Sequence, residues 1–179
     1  MTSEIIPEPW RSFLIDVDNF LSEETHFHCL GGFVVTQLYG RQRETSDVDF
    51  LTLVHRNDSL LKYAGVGREL HKRYKVYLDP VGVANVPENY AERLKEMYPG
   101  IFKNVRLLAL DPYDIALSKI ERNIERDRED VKYLASTIPF NLEILKLRYL
   151  DELRLYLGNP EREDLTLKLW VEMIEESRG

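Results

Sequence analysis

Residues 30–51 read LGGFVVTQLYGRQRETSDVDFL, and the fold turns on this stretch. Its last part opens an apolar, β-branched run from Val48 to His55, which predicts a strand. Side chains two apart on a strand share a face, so Asp47 and Asp49 form a rigid carboxylate pair. Mg²⁺ favours such oxygens, typically keeping one or two protein carboxylates plus substrate phosphates. Two ions roughly 3.5–4 Å apart can activate an attacking oxygen and stabilise a leaving one. Upstream, Gly31-Gly32 ends a short strand over His26–Leu30 and precedes a helix over Phe33–Tyr39 closed by Gly40. A turn without side chains lets backbone approach phosphate oxygens, and a following helix offers N–H groups.

The same spelling at Asp16-Val17-Asp18 reads the other way. Trp10, Phe13, Leu14, Val17, Phe20 and Leu21 fall on one face of a helix over 9–22. Residues two apart on a helix lie about 200° apart around its axis. These two carboxylates therefore diverge, on what the pattern predicts is a solvated face.

Further along, Asn57 or Asp58 is expected to cap a helix running to about residue 74. A strand over 75–83, a helix over 88–98 ended by Pro99-Gly100, and a strand over 105–110 are expected next. From Asp111 onward the pattern is helical. Asp111 caps a helix with Pro112 in its first turn, reaching about residue 123, and another follows over about 127–138. Two more span about 141–157 and 161–177, separated by Gly158-Asn159-Pro160. The expected class is α/β (α+β), with an α/β core over 1–110 and a helical C-terminal subdomain over 111–179, packed as one body.

Composition narrows the function classes. The 179 residues are 44% hydrophobic and 11% aromatic, which supports a core without disulfide or metal staples and excludes a disordered chain. A lone cysteine, Cys29, rules out a disulfide framework and fits a reducing compartment. MTSEIIPEPW lacks the basic start and apolar centre of a signal peptide, and no apolar run approaches the ~20 residues of a membrane helix. The expectation is a soluble cytoplasmic protein with no membrane partner. A net charge of −7 argues against non-specific DNA binding. Residues 31–75 carry +3 within this acidic chain, which suits a compact polyanion such as a nucleotide, or an ordinary mixed surface.

Leu30-Gly31-Gly32, followed by Gly40-x-x-Arg43-x-Thr45-x-Asp47-Val48-Asp49-Phe50-Leu51, resembles the signature of small nucleotidyltransferase-fold proteins. Among these are an uncharacterised bacterial nucleotidyltransferase family and the AbiEii-type abortive-infection toxins. A second block, Asp111-Pro112-Tyr113-Asp114, Lys119, Arg126-Asp127-x-x-Asp130-Val131 and Leu134, resembles the segment that follows the core there. The resemblance implies a mixed central sheet flanked by helices. It also implies Mg-dependent transfer of a nucleoside monophosphate from an NTP to a hydroxyl of an RNA end, a protein or a small molecule.

By the same resemblance, Asp47 and Asp49 hold Mg²⁺, as two ions, with Mn²⁺ as a substitute. Asp79, in Val76-Tyr77-Leu78-Asp79, stands where a third catalytic carboxylate comes from an adjacent strand and accepts the attacking hydroxyl's proton. Gly31, Gly32, Arg43, Thr45, Lys119, Asp127 and Asp130 are implied nucleotide-binding positions. A toxin role with a partner antitoxin follows by analogy, and the Leu/Tyr stripes of 141–157 and 165–174 admit a homodimer or further core.

Gly32 stands where the superfamily often has serine, and fourteen residues separate it from Asp47. Pro80 directly after Asp79 leaves an early end of the 75–83 strand open as an alternative. An Asp79 facing away would favour a non-catalytic member that binds nucleotide or a partner. Structural alternatives stand beside each role. Asp47 and Asp49 could cap the strand, and Lys119 could be a solvated helix lysine. Arg126, Asp127 and Asp130 could be helix charge pairs with Arg122 and Lys132. His26 and His28 share a strand face, and a buried strand with a partnered histidine is favoured over zinc.

Overall fold

Five strands form one mixed sheet in the order β3-β2-β1-β5-β4. They are β1 (Thr25–Leu30), β2 (Asp47–Leu51), β3 (Tyr77–Val81), β4 (Lys95–Met97) and β5 (Val105–Ala109). The computed structural model describes residues 5–51, 57–82 and 85–179. The expected strand ends at 52–55 and 83 lie outside the described residues. β1 runs parallel to β5 and antiparallel to β2, β2 is parallel to β3, and β4 is antiparallel to β5. This is the mixed α/β architecture anticipated above.

The chain divides into two units, residues 1–83 with 94–109 and residues 84–93 with 110–179. The first holds the sheet with α1 (Trp10–Phe20), α2 (Gly31–Gln37), α3 (Asp58–Ala64) and α4 (Glu69–Tyr74). The strands alternate in register. One face carries Phe27, Cys29, Val48, Phe50, Leu78 and Leu107, all at most 3% exposed. Helix α1 contributes the fully buried Phe13, Leu14 and Val17, and its Trp10 ring meets Phe33 of α2 edge-on at 4.8 Å. Register pairing puts Asp47, Asp49, Tyr77 and Asp79 on the opposite face, with Leu30 and His28.

The second unit packs α5 (Pro112–Ser118), α6 (Glu125–Thr137), α7 (Leu142–Arg148) and α8 (Pro160–Arg178) around a cluster that includes Leu117, Val131, Leu145, Tyr149, Trp170 and Ile174. Asp111 caps α5 as expected, accepting the Asp114 N–H at 2.9 Å. Asp114 is fully buried, and Arg93 grips it through two hydrogen bonds of 2.9 Å while Arg148 approaches to 3.2 Å. Glu152 takes Arg93 as well and accepts the Asn89 N–H. These contacts secure residues 85–93 within the helical unit.

Several expectations are corrected. The helix expected over 57–74 is two helices, because Gly65 leaves helical geometry and bridges to Leu78 in the sheet, and Gly67 adopts φ +72°. The stretch 88–98 is not a helix. A single 3₁₀ turn at Tyr90–Arg93 precedes β4, whose backbone pairs with β5 and whose Met97 alone is buried. Tertiary pairing overrides helical pattern there, leaving a short, charged edge strand. Helix 141–157 loses α geometry after Arg148, with a π turn at Tyr149–Leu153 and a 3₁₀ turn at Arg154–Tyr156. β3 continues through Pro80 to Val81, which proline tolerates because β3 is an edge of the sheet. Asp16 and Asp18 do diverge, but neither is idle. Asp16 accepts the Tyr74 hydroxyl at 2.6 Å and Arg73 at 3.0 Å, while Asp18 accepts the backbone N–H groups of Lys103, Asn104 and Val105.

Candidate functional site

β2 enters the sheet at Asp47 and lies parallel to β3 with Asp49 paired to Asp79 and Asp47 to Tyr77. One strand supplies two carboxylates and its neighbour the third. Oxygens of Asp47, Asp49 and Asp79 all lie within 4.8 Å of one another, and all three residues are half-buried. Burial pushes the Asp79 carboxyl above its usual range, and the Asp47 charge adds to that effect. A hydrogen bond shared with Asp49 works the other way. Three like charges at this spacing repel, and a divalent cation relieves that repulsion. Hard carboxylate oxygens from two rigid strands are the donor set that Mg²⁺ or Mn²⁺ takes, so the residues present fit such an ion.

Gly31 stands against this cluster. Its φ is +74°, and a Cβ there would lie 2.2 Å from Asp49 Oδ2. No larger residue fits while Asp49 keeps its place. At Gly32 a Cβ would come within 2.5 Å of Arg43 Nη2, so the guanidinium lies directly over the glycine. Arg43 Nη1 donates to the Glu44 carbonyl at 3.1 Å, and Thr45 Oγ1 reaches Asp47 Oδ1 at 3.5 Å. The glycine pair, Arg43 and Thr45 thus converge with the carboxylates. Helix α2 begins at Gly31 itself, two residues earlier than expected.

Lys119, Asp127 and Asp130 belong to the second unit and meet each other there. Lys119 is 5% exposed, with Nζ 3.2 Å from Asp130 and 3.6 Å from Asp127, both fully buried. Arg122 adds a two-pronged contact to Asp127, and Ile124 N–H donates to it at 3.2 Å. Burial raises the Asp127 pKa, but Arg122, Lys119 and the Ile124 N–H overcome this and hold it below the usual range. Lys119 is accordingly not a solvated helix lysine, and Asp127 does pair with Arg122.

Tyr77 escaped the reading of the sequence. It shares the face of Asp79 by simple alternation, and that was the available signal. Burial raises its hydroxyl pKa, and the charges of Asp47, Asp79 and Asp49 raise it further. On the same face, His26 bonds Glu24 at 2.7 Å, while His28 is 8% exposed with its pKa lowered by burial. Cys29, on the buried face, has its thiol pKa pushed up by burial and by Asp49.

The fold and the acidic site define a nucleotidyltransferase domain. More specifically, residues 14–178 match the family described as nucleotidyltransferase of unknown function (DUF6036), and the chain belongs to that family. No curated protein and no solved structure matches it. Among the described residues no helix is long and apolar enough to cross a membrane.

Proposed function

We propose that this protein transfers a nucleoside monophosphate from an NTP to an acceptor hydroxyl in a Mg²⁺-dependent reaction centred on Asp47, Asp49 and Asp79. The observation that carries this reading is the convergence of Asp79 on the Asp47–Asp49 pair. An outward Asp79 would have favoured a non-catalytic binding module. Asp47 and Asp49 would hold Mg²⁺, as two ions with Mn²⁺ able to substitute, and Asp79 would join them. The ions supply charge neutralisation at the triphosphate and a more acidic acceptor hydroxyl.

The chain's own residues account for the rest. The acceptor oxygen bonds to the α-phosphorus as the bond to the bridging oxygen breaks and pyrophosphate leaves. Asp79, beside the Asp47–Asp49 pair, would take the hydroxyl proton. Gly31 and Gly32 let phosphates approach the backbone, with Thr45 beside Asp47 and Arg43 offering a planar fork for phosphate oxygens. Lys119, Asp127 and Asp130, implied as nucleotide-binding positions by the resemblance, would take that role within the helical segment 111–179. The acceptor would be an RNA end, a protein or a small molecule. A kinship with AbiEii-type toxins would place the protein beside an antitoxin, and a homodimer is compatible with that role.

The test is label transfer from each α-³²P NTP, with Mg²⁺, to total RNA and to a protein extract, run beside an Asp47→Ala/Asp49→Ala variant. Label dependent on the carboxylates is expected, and it identifies base and acceptor class together. NTP binding without any transfer would replace this reading with the binding module.

A further inference from the structure

The face that bears the carboxylates also bears Tyr77, an aromatic side chain that the metal chemistry does not use. Tyr77 is the register partner of Asp47, two residues before Asp79, so its Cα stands about 5 Å from that of Asp47 across the ladder. It is half-buried, and its ring packs against His71 of α4 with centroids 4.6 Å apart and planes tilted by 50°. The His71 ring is itself held, since Nδ1 accepts the Gly67 N–H at 2.8 Å. That bond leaves the proton of the neutral imidazole on Nε2. Around His71 in sequence stand the exposed Arg68, Glu69 and Lys72, while Tyr77 feels the charges of Asp47, Asp49 and Asp79. A phenol backed by a second ring, partly exposed and beside carboxylates suited to a metal ion, has the chemistry of a base-stacking surface.

We propose that Tyr77, backed by His71, is the platform on which a nucleobase stacks beside the Asp47–Asp49–Asp79 site. The proposal rests on the metal–nucleotide reading of that site. The base comes from the incoming NTP or from the terminal nucleotide of an acceptor, since either presents the same aromatic face. Stacking tolerates every base, so the platform confers affinity for a nucleoside over a bare polyphosphate rather than strong choice among bases.

Calorimetric titration of the full-length protein in Mg²⁺ with each NTP, with tripolyphosphate and with a short single-stranded RNA tests this. The wild type is expected to prefer NTPs over tripolyphosphate by on the order of tenfold, the strength of one base–aromatic stack. Tyr77→Leu, which keeps apolar bulk, should erase that preference while tripolyphosphate binds as before, and Tyr77→Phe should restore it. If the base is the acceptor's, Tyr77→Leu weakens the RNA titration and not the NTP one. An NTP preference and RNA affinity that both survive in Tyr77→Leu overturn the platform but leave the metal–nucleotide site standing. Equal loss in Tyr77→Phe and Tyr77→Leu overturns it too, since the hydroxyl would then be the group that matters. A wild type that binds neither NTP nor tripolyphosphate removes the proposed function and the platform together.

Discussion

Substituting alanine at Gly31 separates two physical effects that usually come mixed. Gly31 sits at φ +74°, where an L-residue costs about 1–2 kcal/mol more than glycine. The new Cβ would also fall 2.2 Å from Asp49 Oδ2, so the carboxylate must leave its rotamer or the α2 entry must shift. Forcing a side chain off-rotamer adds about 0.5–1.5 kcal/mol. Gly67 is the internal control, because its φ is +72° yet a Cβ there meets nothing within 4 Å. Gly67→Ala should therefore show the backbone term alone, and Gly31→Ala that term plus about 1 kcal/mol. Urea denaturation followed by circular dichroism measures both variants, and Mn²⁺ titration shows whether Asp49 has moved. Gly31→Ala should be the less stable and the weaker Mn²⁺ binder. Equal stabilities with unchanged Mn²⁺ affinity would refute the claim that Gly31 exists to admit the Asp49 carboxylate.

Other expectations follow from the same contacts. Asp114→Ala leaves a buried void and takes one carboxylate from Arg93 and Arg148, which keep Glu152 and Asp111, so a loss of about 1–3 kcal/mol is expected in chemical denaturation. Asp164→Ala removes a half-exposed Arg154 fork and also the acceptor of the buried Tyr149 hydroxyl, so it should cost about 1–3 kcal/mol, most of it from the tyrosine. Asp127 titrates below its usual range in the fold, so its contribution is present above the unfolded carboxylate pKa and is lost as pH falls through the folded one. Asp127→Asn should flatten acid unfolding below about pH 4. Asp79 has the opposite sign, since a raised folded pKa makes the ionised carboxylate a liability once pH rises past the unfolded value of 3.8. Asp79→Asn is then expected to be more stable than wild type at neutral pH without metal, and to gain less from added Mg²⁺. Glu163 is buried with Oε2 unpartnered among the described residues, so Glu163→Met should leave stability unchanged or raise it, by thermal or urea unfolding.

Local chemistry was legible where one residue type has one physical use. Strand alternation at Asp47-Val48-Asp49, the cap at Asp111, and the apolar stripe of α1 all read directly from spacing. The sequence failed where tertiary partners outvote local pattern. Lys95-Glu96-Met97 has no strand signature of its own, and it is a strand because β5 offers an unpaired edge. The break at Gly65 depends on Leu78, thirteen positions away, accepting it into the sheet. Arg93 carries no motif, yet it joins residues 85–93 to Asp114 and Glu152 by charge pairs that only the folded chain creates. The site itself was half visible. Asp79 was placed on an adjacent strand by resemblance, whereas its exact register with Asp49, and Tyr77 beside Asp47, needed the ladder.

The central claim is that carboxylates from two neighbouring strands act as a single metal-binding unit. Mn²⁺ titration of the wild type and of Asp47→Asn, Asp49→Asn and Asp79→Asn, each with NTP present, tests it most directly. Each substitution should weaken Mn²⁺ binding by at least the roughly tenfold that even an outer-shell partner contributes. Wild-type affinity in Asp79→Asn would contradict the account, leaving Asp79 a bystander on the strand beside the site.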